Sequence, residues 1–140
     1  MPILYTAEAL ASGDGRNGRA RTTDGKLDLN LSAPKEMGGD GEGTNPEQLF
    51  AAGYAACFHS ALRLVGKQAK ANIDDSAVGA RVGIGPNDAG GFGLAVTLEV
   101  SLPHLTREDA QALADKAHQV CPYSNATRGN IDVQVLLAED

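Results

Sequence analysis

The sequence predicts an α+β fold of mostly antiparallel sheet grouped around two helices. Three observations carry that prediction. Apolar and polar residues alternate over 27–32 and 94–101, as in half-buried strands. Two other stretches open with helix-capping patterns and continue at helical spacing. Seventeen glycines in 140 residues separate these stretches with turns.

The elements follow in order. Residues 3–11 read as an opening strand that ends in Ser12-Gly13-Asp14-Gly15-Arg16-Asn17-Gly18. Asp24-Gly25 marks a hairpin turn, after which Leu27, Leu29 and Leu31 alternate with Asp28, Asn30 and Ser32. Residues 33–43 form a long loop containing Gly38-Gly39 and Gly41. A helix starts near Asn45, with Pro46 suited to the first turn and Glu47 to the positive helix end. Thr44 and Glu47 also match capping-box spacing. The helix is expected to run to about Gly66 and to bury Leu49, Ala52, Gly53, Ala56, Cys57, Ser60 and Leu64.

A hairpin over 77–84 and 92–102, turning at 85–91, comes next, with Leu94, Val96, Leu98 and Val100 on one face. Thr106 and Asp109 open a second helix carrying Ala110, Leu113, Ala114 and Ala117, which Cys121-Pro122 disrupts. Residues 131–137 form the last strand.

This length suits one domain over 1–140, and 42% hydrophobic with 21% charged residues is the balance of a soluble globular chain. The net charge of -6, with scattered Lys and Arg, argues against nucleic acid or an anionic membrane as partner. No membrane-spanning run is expected, and Met1-Pro2-Ile3-Leu4-Tyr5 does not read as a secretion signal. A cytoplasmic location is therefore expected. Two cysteines are too few for a disulfide framework. In a reducing compartment such a pair is either inert or chemically used.

Each cysteine alone reads first as a small buried hydrophobe. Cys57-Phe58-His59 and His118-Gln119-Val120-Cys121 resemble two metal-ligand pairs, but residues two apart on a helix differ by about 200° around its axis. The spacing matches no usual zinc signature either, so no metal site is expected. A cysteine hydrolase needs a histidine base. Of the candidates, His59 is expected to face away from Cys57, His104 to lie in a solvated loop and His118 to pack near a helix end.

A reactive Cys57 would need a cation, because apolar surroundings hold a thiol protonated and the helix start is about three turns away. Arg16, Arg19, Arg63, Arg81 and Arg128 are the candidates. Glu47 is by default a first-turn acid, yet a carboxylate there can also hold an arginine fork toward a thiolate.

The stretch Thr44-Asn45-Pro46-Glu47-Gln48-Leu49-Phe50-Ala51-Ala52-Gly53-Tyr54-Ala55-Ala56-Cys57-Phe58 resembles the first signature of the organic hydroperoxide resistance family. Val120-Cys121-Pro122-Tyr123-Ser124-Asn125-Ala126-Thr127-Arg128-Gly129-Asn130-Ile131-Asp132-Val133 resembles the second. Leu4-Tyr5-Thr6-Ala7, Gly83-Ile84-Gly85 and Gly91-Phe92-Gly93-Leu94 also fit, so the resemblance covers nearly the whole chain. The second stretch is closer to this branch than to its osmotically inducible sister.

The resemblance implies an OsmC-like fold, an intertwined homodimer and a thiol peroxidase. Cys57 would be the peroxidatic thiol and Cys121 the resolving thiol. Arg16 would match the family's catalytic arginine, with Arg19 as the alternative register, and Glu47 its partner carboxylate. Organic hydroperoxides would be the substrates, and dihydrolipoyl groups of lipoylated proteins the external dithiol reductant. No metal, haem or flavin is implied. Met37, Phe50, Phe92 and Tyr123 are candidates for an apolar substrate wall, or else core. The competing reading is a thiol-based redox sensor or binding domain that does not turn over.

Overall fold

Sequence and backbone geometry agree first in the N-terminal part. The structure, a computed structural model, describes residues 1–139 and divides into two compact units, one over Met1–Leu49 and the other from Phe50 onward. In the first unit β1 (Ala9–Ser12), β2 (Arg19–Thr22) and β3 (Asp28–Asn30) form an antiparallel meander. The Asp24-Gly25 turn joins β2 to β3, with Gly25 at φ 73° and the Thr22 N–H donating to Leu27 O at 2.8 Å.

Between β1 and β2 a single 3-10 turn, Gly15–Asn17, carries Arg16 at its centre. Gly18 closes that turn. A Cβ there would run into the Ser12 carbonyl, so only glycine permits the chain to fold back this closely.

The opening strand is shorter than the sequence predicts. Residues 3–8 belong to no element, and Ile3, Leu4 and Tyr5 are 65%, 97% and 79% exposed. β-propensity alone makes no strand without a partner edge, and β2 is only long enough to pair with Ala9–Ser12. The predicted loop over 33–43 stands, with one 3-10 turn at Lys35–Met37.

α1 (Pro46–Gln68) begins in the first unit and continues into the second. There, β4 (Ala77–Pro86) and β5 (Phe92–Ser101) form the predicted hairpin, and β6 (Asp132–Leu137) adds parallel to β5, giving the order β4-β5-β6. A parallel neighbour needs a long crossover, which α2 (Arg107–Val120) and α3 (Pro122–Thr127) supply. Val96, Leu98 and Val100 of β5 meet Tyr54, Phe58, Leu62 and Val65 of α1 in one core, closed by Ala110, Leu113, Ala114 and Ala117 of α2.

Two expectations about α1 fail. Its core face carries Tyr54, Phe58, Leu62 and Val65, while Ala52, Ala56, Ser60 and Leu64 of the predicted stripe stay exposed. The bulkier face wins because burial free energy grows with apolar area. In addition, α1 is long and apolar enough to cross a membrane by length and composition, where the sequence reading found no such run.

Candidate active site

Both cysteines owe their positions to helix ends and helix faces. Asn45 caps α1, accepting the Gln48 N–H at 2.8 Å, so the helix is set from its first turn and presents Cys57 half-buried against the core. Thr106 caps α2 by accepting the Asp109 N–H at 3.1 Å, as its spacing predicts.

Cys121 is the elbow between α2 and α3. Its N–H still bonds Ala117 O at 2.8 Å, but its ψ of 123° leaves the helical region, and Pro122 starts α3 without needing a donor. The short helix α3 went unpredicted because its first residue, Pro122, reads from the sequence as the end of α2.

This elbow brings the thiols together. Cys121 Sγ is fully buried and lies 3.3 Å from Cys57 Sγ, both as free thiols. Burial pushes the Cys57 thiol above its ordinary range, and the hydrogen-bonded Cys121 thiol adds to the rise. The backbone N–H of Tyr123 opposes this by favouring the thiolate. The net effect of these surroundings favours the neutral thiol.

Aromatic rings stand beside the pair. Phe50, Tyr54 and Tyr123 pack in mutual edge and tilted contacts, with centroids 5.7 to 6.1 Å apart. Gly53 lies one turn from Cys57, and a Cβ there would stand 3.0 Å from the Tyr123 hydroxyl, so the missing side chain lets that ring approach α1. Of the four candidate wall residues, the structure thus brings Phe50 and Tyr123 together. Phe92, 71% exposed at the start of β5, joins no aromatic pair among the described residues, and Met37 ends the 3-10 turn of the first unit, 40% exposed.

The first unit holds the charged pair. Arg16 Nη1 donates to Glu47 Oε2 at 2.8 Å and Nη2 to Oε1 at 2.6 Å, a two-pronged bridge with Glu47 only 14% exposed. The guanidinium holds the Glu47 carboxyl below the usual carboxylate range, and the carboxylate raises Arg16 in turn. Arg19 is committed elsewhere, gripping Asp28 across β2 and β3 with bonds of 2.7 and 2.5 Å. Arg63 reaches Ser76 at 3.5 Å, Arg81 reaches Glu99 at 3.5 Å, and Arg128 binds Asn125 and the His118 carbonyl.

The histidines are occupied too. His59 Nε2 bonds Ser76 at 2.9 Å, His104 Nε2 bonds Asp75 at 2.9 Å, and His118 Nδ1 bonds Ser124 Oγ at 2.8 Å. Among the described residues no group of three His, Cys, Asp or Glu could hold a metal ion. Sequence reasoning passed over Tyr54, whose hydroxyl lies 2.8 Å from Ser124 Oγ and 3.0 Å from Thr127 Oγ1. The available signal was its position three residues before Cys57, matching that of Ser124 three after Cys121.

Fold and site together define a small α+β protein with two neighbouring cysteine thiols, and comparison with known proteins places it in a family. Residues 39–136 match the family model described as OsmC-like protein. The chain is 55% identical over 138 residues to the organic hydroperoxide resistance protein of Xanthomonas axonopodis pv. citri, covering 97% of this chain and 96% of that one. A crystal structure of an organic hydroperoxide resistance protein from Elizabethkingia anophelis superposes with a TM-score of 0.95 at 51% identity, covering all of both chains. A Vibrio cholerae relative, solved with captopril bound in one of its active sites, is 55% identical with a TM-score of 0.92, over 98% of this chain and 94% of that one. The chain belongs to the organic hydroperoxide resistance proteins of the OsmC family.

Proposed function

We propose that this chain is a cytoplasmic thiol peroxidase that reduces organic hydroperoxides to alcohols. The observation that carries the reading is the 3.3 Å separation of Cys57 and Cys121 sulfurs beside an aromatic wall. Two free thiols at that distance need to close by only roughly 1 Å to become a disulfide.

The Cys57 thiolate attacks the terminal peroxide oxygen. The O–O bond breaks, Cys57 becomes a sulfenic acid, and the departing alkoxide takes a proton to leave as alcohol. Arg16, steered by Glu47, stabilises the thiolate and orients the peroxide. The two-pronged bridge supports this role, since it fixes the guanidinium plane before substrate arrives. Cys121 sulfur then attacks Cys57 sulfur, the S–O bond breaks, and water leaves with the Cys121 proton.

An external dithiol, for which dihydrolipoyl groups on lipoylated proteins are our candidate, reduces the disulfide by exchange. The scheme requires no metal, haem or flavin. Phe50 and Tyr123 are the wall residues best placed for an apolar tail, with Met37 and Phe92 as further candidates.

A homodimer belongs to the same proposal. Ile3, Leu4, Tyr5 and Leu10 are exposed in the first unit, and so are Leu64 and Phe92 in the second. A second copy of the chain would cover apolar surface of this kind.

Turnover decides the matter. Catalytic amounts of protein should consume many equivalents of an alkyl hydroperoxide with dihydrolipoamide as reductant. Consumption of a single equivalent, with no turnover under excess dithiol, would establish a redox sensor instead.

A further inference from the structure

Cys57 and Cys121 are not the only bridge between α1 and the segment that follows α2. One helical turn away, Tyr54 of α1 meets Ser124 of α3, hydroxyl to hydroxyl at 2.8 Å. The spacings match: Tyr54 is three residues before Cys57 on the same face of α1, and Ser124 is three after Cys121, in the first turn of α3. Tyr54 and Ser124 are fully buried and Thr127 is 6% exposed. Tyr54 also bonds Thr127 Oγ1 at 3.0 Å, and Ser124 holds His118 Nδ1 on α2 at 2.8 Å. A single cluster therefore ties α1, α2 and α3 together around the Cys121 elbow.

We propose that Tyr54, through Ser124 and Thr127, is a positioning residue for the resolving thiol, holding the Cys121 elbow in register with Cys57 during disulfide formation.

The donors in this cluster are fully used. Thr127 Oγ1–H donates to Ser124 O at 3.3 Å, which makes Tyr54 O–H the donor to Thr127. Ser124 O–H is then left to donate to Tyr54, and His118 Nδ1–H to Ser124. Each hydroxyl gives one bond and accepts one. Among the described residues no buried polar side-chain atom lacks a partner. A swing of α3 away from α1 would strand several buried hydroxyls at once, and that resists the movement.

The elbow needs such a restraint. Cys121 has extended ψ and is followed by proline, so the helical ladder is interrupted there. Side-chain bonds, from this cluster and from Arg128 to the His118 carbonyl, help hold α3 against α2. Condensation of Cys57 sulfenic acid with Cys121 thiol depends on the sulfurs staying in line, and small misplacements slow such steps steeply. The attack of Cys57 on peroxide does not involve Cys121 and should not depend on the cluster.

This inference rests on the disulfide chemistry proposed above, and the experiment separates the two. Reduced full-length protein is mixed with one equivalent of alkyl hydroperoxide, and sulfenic acid and disulfide are followed by rapid quench and mass spectrometry. If the unaltered protein forms no Cys57–Cys121 disulfide, the peroxidase reading itself fails. If it does, Tyr54→Phe should form sulfenic acid at the normal rate but disulfide about tenfold more slowly. With excess peroxide it should accumulate Cys57 sulfinic acid. Thr127→Val, of the same shape without the hydroxyl, should slow the same step, and Thr127→Ser should restore it. Normal disulfide rates in both Tyr54→Phe and Thr127→Val, or equal slowing of both steps, would overturn the proposal.

Discussion

The Arg16–Glu47 corner and the Cys57–Cys121 pocket are built on opposite principles. At the corner a charged pair is formed outright: the bridge is two-pronged, Arg16 keeps about a third of its side chain in solvent, and both groups are driven further toward their charged forms. At the thiol pair the neutral form is favoured instead, with burial and a neighbouring thiol raising Cys57. Arg19 is bound to Asp28, and Arg128 to Asn125 and the His118 carbonyl. The contrast teaches that the surroundings of Cys57 supply a second sulfur but favour the neutral thiol, which is why the proposed mechanism assigns activation to Arg16.

The sharpest way to break this division is to remove its two sulfurs in turn. Cys57→Ser should abolish peroxide consumption, whereas Cys121→Ser should still oxidise once at Cys57 and form no intramolecular disulfide. Mass spectrometry showing sulfenic acid on Cys121 with Cys57 reduced would reverse the roles.

Shape is tested next. A bulky alkyl hydroperoxide should have a kcat/KM higher than that of hydrogen peroxide by about two orders of magnitude, since each buried methylene contributes about 0.8 kcal/mol. Equal values, measured with reduction of the disulfide not limiting, would remove the apolar wall from the account.

Glu47→Gln should be milder, slowing attack by about tenfold, because the guanidinium remains but loses its charged anchor. The bridge also has a pH signature. Its carboxyl is lowered by folding, so the stability it contributes is present above the unfolded carboxylate pKa of about 4.3 and is lost as pH falls through the folded value. Chemical denaturation of the unaltered protein and Glu47→Gln should converge in acid and separate toward neutrality. A constant difference across that range would exclude the linkage.

The smallest effect is spectroscopic. Burial, with Arg128 in support and Asp115 opposing, holds His118 below the usual imidazole range, so it is neutral at pH 7. The donor order around Ser124 then places its proton on Nδ1, which nitrogen chemical shifts should show. An Nε2–H tautomer would reverse the direction of the hydroxyl chain.

Much of this was legible in the sequence wherever one local pattern decided the outcome. The Asp24-Gly25 turn, the Asn45 and Thr106 caps and the alternation ending at Val100 each translate directly into geometry. The core face of α1 was not legible, because its small stripe and its bulky stripe both repeat at helical spacing and only the opposing surface selects between them. In the site, motif resemblance pointed to both cysteines, but Tyr54 stood in the same stretch with no role assigned to it. Its role depends on Ser124 and Thr127, some seventy positions away, brought close only by the Cys121 elbow.

The proposal at the centre of the account is that Arg16 activates the Cys57 thiol. It is tested most directly by titrating the Cys57 thiolate, followed by its ultraviolet absorbance, in Cys121→Ser protein with and without Arg16→Ala. The account predicts a higher thiol pKa and slower attack on alkyl hydroperoxide when Arg16 is lost, with Arg19→Ala changing little. An unchanged titration in Arg16→Ala, or a shift only in Arg19→Ala, would contradict it.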